Sequence, residues 1–266
     1  MVSSNHLTEL LITSVIILVN GPEIILILKA KKSLSLFQVL LLSLAVTDLL
    51  VGLLQFILTV LQLYDVEIKS FKLNSILYFT IAASVNHVNA ITADRFIAIR
   101  WPLKHRHLVS RRRIAIYIAI TWCISIVMLM PLFIRNSMEY VKYILSIVMF
   151  AYSGVMVFVY SFIIYRVVVV RGRVISIAAQ QDNATQASKD VQLVVVSVVL
   201  TITFMICTVP FCVCAFITNH SPKTVKYLLL SNSLCNPCIY FFWKLLQARF
   251  KTPRPTTMQM QKGMPP

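Results

Sequence analysis

Asp48 is a carboxylate set inside an apolar stretch, Leu44-Ala45-Val46-Thr47-Asp48-Leu49-Leu50, and Asn20, Ser84, Asn232, Ser233 and Asn236 stand inside apolar runs of their own. Asn232 and Ser233 precede Asn236 by four and three residues, so on a helix all three share one face. An anionic oxygen among amide and hydroxyl oxygens is a donor set for a small hard cation such as Na+. The same residues would equally serve as a polar network that packs helices with no ion. A second constellation is charged: Asp94 and Arg95 are adjacent, and Asp190 opens a later apolar run. An Arg95 that pairs with its neighbour and reaches Asp190 would latch two helix ends, and its rupture would open a cleft between them. An interfacial pair that merely reaches for water is the plainer alternative.

The elements that would position these residues follow from composition. Of 266 residues, 58% are hydrophobic and 13% charged, about half the charged share of a soluble domain. Such a chain needs an apolar solvent for its surface, and a bilayer supplies it. The net charge of +16 falls in short gaps between apolar runs rather than on a folded polar face, which argues against nucleic-acid binding. Seven runs are long enough to cross as helices: about 7–29, 36–63, 72–100, 112–134, 141–170, 190–218 and 223–243. Helices satisfy every backbone N–H and C=O within the segment, as hydrocarbon demands. The expected fold class is therefore all-α, a seven-transmembrane helix bundle spanning 1–243. A short amphipathic helix at 244–252 would lie on the membrane surface, and a proline-rich disordered tail would follow at 253–266.

Of the 25 lysines and arginines, all but Lys69, Lys72, Arg135, Lys142, Lys223 and Lys226 collect on one side of these spans. That side is expected to be cytoplasmic, which puts the N-terminus outside and the C-terminal tail inside. No cleavable leader or lipidation box is read, so the spans alone are expected to hold the chain in the plasma membrane among its lipids. The six cysteines all lie in apolar runs and read as buried thiols. Pro210 and Pro237 each remove a helical hydrogen bond deep in a span and should kink it.

Taken together, these residues resemble the rhodopsin-like (class A) G-protein-coupled receptor family over nearly the whole chain. Asn20 matches the first-helix asparagine, and Leu44 to Asp48 matches the second-helix motif. Asp94-Arg95-Phe96 resembles the third-helix Asp-Arg-Tyr signature, and Leu103 sits in the second cytoplasmic loop that follows it. Trp122 matches the fourth-helix tryptophan; Tyr160, Phe204, Cys207 and Pro210 fit the fifth and sixth helices. Asn236-Pro237-Cys238-Ile239-Tyr240 is the seventh-helix Asn-Pro-x-x-Tyr motif. Each is weak alone; in order and at these spacings they are specific. Thr208 stands where most members carry a sixth-helix tryptophan, Tyr152 replaces a fifth-helix proline, and the usual extracellular disulfide has no cysteines to form it. These departures resemble the melanocortin branch and its adenosine, cannabinoid and lysophospholipid relatives. The melanocortin acidic residues are not matched, however, since Leu58, Ser70 and Asn74 occupy their places.

The resemblance implies a receptor rather than an enzyme, with a heterotrimeric G protein as partner and an extracellular small-molecule, lipid or peptide ligand. The implied ligand pocket is Leu77, Thr80, Ile81, Ile144, Val148, Phe211, Ala215, Lys226 and Leu230. Leu77 stands where an amine receptor carries aspartate, and Leu230 where an opsin carries its retinal lysine. Lys226 is a cation near the mouth, read either as a solvated rim lysine or as a partner for an anionic head group. By the same resemblance, ligand opens the sixth helix about Pro210, with Phe204, Tyr160, Pro237 and Tyr240 as the moving switch. Arg95 is released from Asp190 and Leu103 meets the G protein; Na+ at Asp48 would oppose the change. A constitutively active or decoy receptor is the alternative, since Thr208 alters the trigger. A channel or transporter is a more distant one, which would need a polar stripe right across the membrane. Glu23, next to Pro22 in the first span, has no assigned role.

Overall fold

The computed structural model describes residues 4–29, 36–64, 70–101, 110–127, 184–218 and 223–249, together with 147–148, 151–152, 154–155, 158–159 and 162. Every regular element among them is an α-helix. They are α1 (Ser4–Lys29), α2 (Leu36–Leu63), α3 (Ser70–Arg100), α4 (Arg111–Val127), α5 (Ala184–Thr218) and α6 (Lys223–Arg249). α1 to α4 carry the first four expected spans, and α5 and α6 carry the sixth and seventh. The fifth span is described only at short helical pieces between 147 and 162, and the tail from 250 lies outside the described residues.

A helix apolar on both faces marks a lipid-facing element, and α5 is one. On α5, Val196, Leu200, Phe204, Cys207 and Phe211 recur every three or four residues and are buried. The opposite face, with Val195, Val199, Ile202, Ile206 and Val213, is just as apolar and exposed. A water-soluble helix would be polar there, so the solvent for this face is lipid. By length and composition alone, residues 5–29, 36–63 and 195–214 can each cross a bilayer. α3 and α6 are less apolar because their inner faces hold the polar residues described below.

α2 is the central post. Its buried face runs from Phe37 through Leu41, Leu44, Asp48, Val51 and Gln55 to Thr59. It packs against α1, α3, α4 and α6, while α1 also meets α6 and α5 meets both α3 and α6, so the helices close on themselves. Gly52 permits the tightest of these approaches: a Cβ there would lie 2.8 Å from Cγ2 of Ile16. Phe162 of the fifth span packs its ring 5.5 Å from Phe96 of α3.

Two boundaries differ from expectation. α5 starts at Ala184 rather than at 190, because Ala184 to Lys189 holds no proline or glycine to stop a helix outside the bilayer. α6 runs without a break to Arg249, so the segment expected as a separate surface helix from 244 continues the seventh span. At about 1.5 Å per residue, α6 is about 40 Å long and outruns a hydrocarbon core of about 30 Å.

Candidate functional site

Asp48 is fully buried and accepts three hydrogen bonds from two other helices. Ser84 of α3 and Ser233 of α6 each donate to Oδ1 at 2.8 Å, and Asn236 Nδ2 of α6 donates to Oδ2 at 2.7 Å. A carboxylate at membrane depth is stabilised by just such convergent donors. Asn232, on the same face as Asn236, is buried with its Oδ1 unpartnered, and so is Oδ1 of Asn236. Of the six residues expected to cluster, Ser84, Ser233 and Asn236 bond to the Asp48 side chain, and Asn232 shares the face of Asn236.

Asn20 plays a different part. Its Nδ2 donates to the backbone carbonyl of Ser233 at 3.0 Å and to that of Ile16 at 2.9 Å. The Ser233 carbonyl would ordinarily receive the amide N–H four residues on, but that residue is Pro237, which has none. Asn20 thus replaces the donor that the proline removes, tying α1 to the weak point of α6. Glu23, one turn beyond Asn20, is also buried, and it lies within electrostatic reach of Asp48, Cys238 and Tyr240.

At the other end of α3, Asp94 and Arg95 are both 7% exposed. Arg95 Nε donates to Asp94 Oδ2 at 2.9 Å, and a terminal guanidinium nitrogen contacts the same oxygen. The guanidinium carbon sits 5.1 Å from the ring centroid of Phe37 on α2, a cation–π contact absent from the sequence reading. Phe37 meets Trp243 of α6 edge-on at 6.0 Å, and Trp243 packs against Tyr240 at 5.9 Å. The arginine and the tyrosine of the two terminal motifs are thus linked through two aromatic side chains. The side chain of Asp190 lies outside the described residues, as do Leu103 and Tyr160, so the latch is described on its Arg95 side.

Of the expected ligand pocket, Leu77, Thr80, Ile81, Phe211 and Leu230 are buried together in the bundle, while Val148 is half-buried. The Thr80 hydroxyl is spent on its own helix, donating to the Leu77 carbonyl at 2.8 Å. Ile144 and the side chain of Ala215 lie outside the described residues. Phe204 and Thr208 are buried on α5, and the Thr208 hydroxyl donates to the Phe204 carbonyl at 2.7 Å. Lys226 differs from the solvated-rim reading: its Nζ pairs with Oε1 of Glu9 at 3.2 Å. Glu9 was missed in the sequence because it sits near the start of the first span, where a carboxylate passes for an interfacial residue. A second unanticipated group is His87, fully buried, whose Nδ1 faces the Ala83 carbonyl at 2.6 Å and must donate to it. Its Nε2 meets the Ser43 hydroxyl at 2.6 Å, and its ring packs 5.6 Å from Trp122, joining α2, α3 and α4.

This architecture defines a polytopic helical protein with a buried polar centre and a charged end. Residues 19–240 match the family model described as 7 transmembrane receptor (rhodopsin family). The chain belongs to that family and is a multi-pass membrane protein. It is 37% identical over 142 residues to 5-hydroxytryptamine receptor 2B of Dichotomyctere fluviatilis, covering 49% of this chain and 30% of that receptor. It is 35% identical over 130 residues to human 5-hydroxytryptamine receptor 2C, covering 46% and 28% respectively. Over a longer stretch of 182 residues it is 25% identical to rat melanocortin receptor 5, covering 63% of this chain and 54% of that receptor. The matches thus span about half, or less, of the length of these relatives, all of which are receptors rather than enzymes.

Proposed function

We propose that this chain carries an extracellular ligand signal across the plasma membrane to a heterotrimeric G protein, by opening the cytoplasmic end of α5. The observation that carries this reading is the Asp48 network. Through it Asp48 of α2 accepts from Ser84 of α3 and from Asn236, the residue before Pro237 of α6, and α6 leads on to Tyr240 and Trp243, which pack toward Phe37 and Arg95. A change in packing at the outer half of the bundle therefore has a continuous route to the charged end of α3. Family membership supports the same role for the pair Arg95 and Asp190. A ligand need only bind the open arrangement more tightly than the closed one.

Sodium fits the polar centre: a carboxylate, two serine hydroxyls and the unpartnered Oδ1 atoms of Asn232 and Asn236 are hard oxygen donors. When bound, the ion would supply positive charge that offsets Asp48. The chain's own residues already hold Asp48 with three donors, so the network stands with or without it. Thr208 favours a second reading, a receptor with high basal output, because it leaves a small hydroxyl where relatives place a large ring against the ligand.

The test is basal cyclic AMP and calcium in cells expressing wild type or Arg95→Ala at equal surface density. Wild type is expected to shift one messenger, and Arg95→Ala to abolish the shift. A wild-type shift that Arg95→Ala leaves intact would overturn the assignment of Arg95. No shift at all removes basal coupling: the receptor reading then depends on an agonist, and a decoy or partner-dependent role gains ground.

A further inference from the structure

The outer ends of α1, α2 and α6 build a second polar cluster, separate from Asp48. Glu9 of α1 is 7% exposed. Its Oε2 accepts hydrogen bonds from Gln55 Nε2 at 3.1 Å and from Thr59 Oγ1 at 3.0 Å, both on α2. Its Oε1 takes Lys226 Nζ of α6 at 3.2 Å. One turn outward on α1, Nδ1 of His6 is buried without a partner. Gln55 and Thr59 are themselves 1% and 0% exposed, so the carboxylate is held by a built, desolvated seat.

The two ends of the ion pair are not equivalent. The Lys226 side chain is 38% exposed and that of Glu9 is 9% exposed. Lys226 lies three residues from the start of α6 at Lys223, and its long stem can carry the ammonium to water. Glu9 has no such route. An anionic ligand that drew Lys226 away would leave Oε1 buried and unpaired, a costly state. A cationic ligand that took the place of Lys226 at Oε1 would keep both carboxylate oxygens of Glu9 partnered and return an already half-wet lysine to solvent. The exchange therefore favours cations.

We infer that the Glu9, Gln55 and Thr59 seat is a recognition site for a ligand bearing a primary ammonium group, with Lys226 as a tethered cation that the ligand displaces. The seat is built from α1 and α2 with Lys226 of α6 and takes no residue from α3. Leu77, standing where an amine receptor carries aspartate, offers an ammonium group no charge to pair with, whereas Glu9 offers one. The inference rests on the receptor reading only for the side of the membrane from which the ligand arrives.

The test uses the purified full chain in lipid nanodiscs with ethylammonium chloride as probe and sodium acetate as the anionic control. Removing the tethered cation, by Lys226→Ala or the longer uncharged Lys226→Met, should open the seat to the free amine. At about ten times its dissociation constant, ethylammonium is expected to raise the melting temperature of either variant by about 3 °C. It should raise that of wild type less, and that of Glu9→Gln with Lys226→Ala not at all. Acetate should raise none of them. An equal rise in the double variant, or no rise in both single variants, overturns the proposal. If neither single variant folds, the comparison of wild type with Glu9→Gln decides it: equal responses overturn it. Because no G protein takes part, failure here leaves the signalling proposal standing, and the messenger assay can fail without touching this one.

Discussion

Asp48 gathers hydrogen bonds from α3 and α6 onto one buried carboxylate, and its substitution separates charge from shape. Asp48→Asn keeps the size and keeps an acceptor for Ser84 and Ser233. It turns an amide toward Asn236, whose own unpartnered Oδ1 can rotate to meet it. The fold should therefore survive. Sodium binding should not: in wild type, sodium at ten times its dissociation constant is expected to add about 1.4 kcal/mol of stability over N-methylglucamine. Asp48→Asn should lose that increment, which paired thermal melts in the two salts would read. Equal melting of wild type in the two salts would remove sodium from the site. Much of this centre was legible in the sequence, because Asp48, Ser84, Asn232, Ser233 and Asn236 are polar residues in apolar runs, three of them in helical register. What was not legible was direction. Asn20 looked like one more oxygen for the cluster, whereas its amide serves the carbonyl orphaned by Pro237. Glu9 and Lys226 are 217 residues apart in sequence, and no local pattern announces that they meet.

The helices carry the next level of specificity, in how closely they approach. Gly52 of α2 faces Ile16 and Ile17 of α1, and an added methyl would lie 2.8 Å from Cγ2 of Ile16 and 3.2 Å from Cγ1 of Ile17. Ile16 is fully buried and β-branched, so it has little freedom to retreat. Gly52→Ala should cost about 1–3 kcal/mol through overpacking. A lowered melting temperature checks this, and Ile16→Ala in the same chain should cost less than the sum of the two changes. If the single change is neutral, the approach of α1 and α2 is looser than described. Element existence was readable from apolar run length, since α2 begins and ends at the residues expected. Boundaries outside the bilayer were not: the residues ahead of 190 are polar enough to read as loop yet contain nothing that breaks a helix.

For the molecule as a whole, the apolar outer faces and the skewed lysine and arginine count make orientation a physical expectation. An epitope placed before Met1 should be stained on intact cells, and one placed after Pro266 only once the membrane is permeabilised. The reverse pattern would overturn the assignment of inside and outside, and with it the side proposed for ligand and for G protein. The length of α5 carries a mechanical consequence. From Pro210 back to Ala184 the helix is unbroken over 26 residues, an arm of about 39 Å at about 1.5 Å per residue. A tilt of about 10° at the proline would carry the Ala184 end through roughly 7 Å, by the same helical rise. A change at the hinge too small to disturb the packing around Phe204 and Phe211 would thus be geared up, at the far end, to the width of a side chain. Any shortening of that arm would lower the gain in proportion.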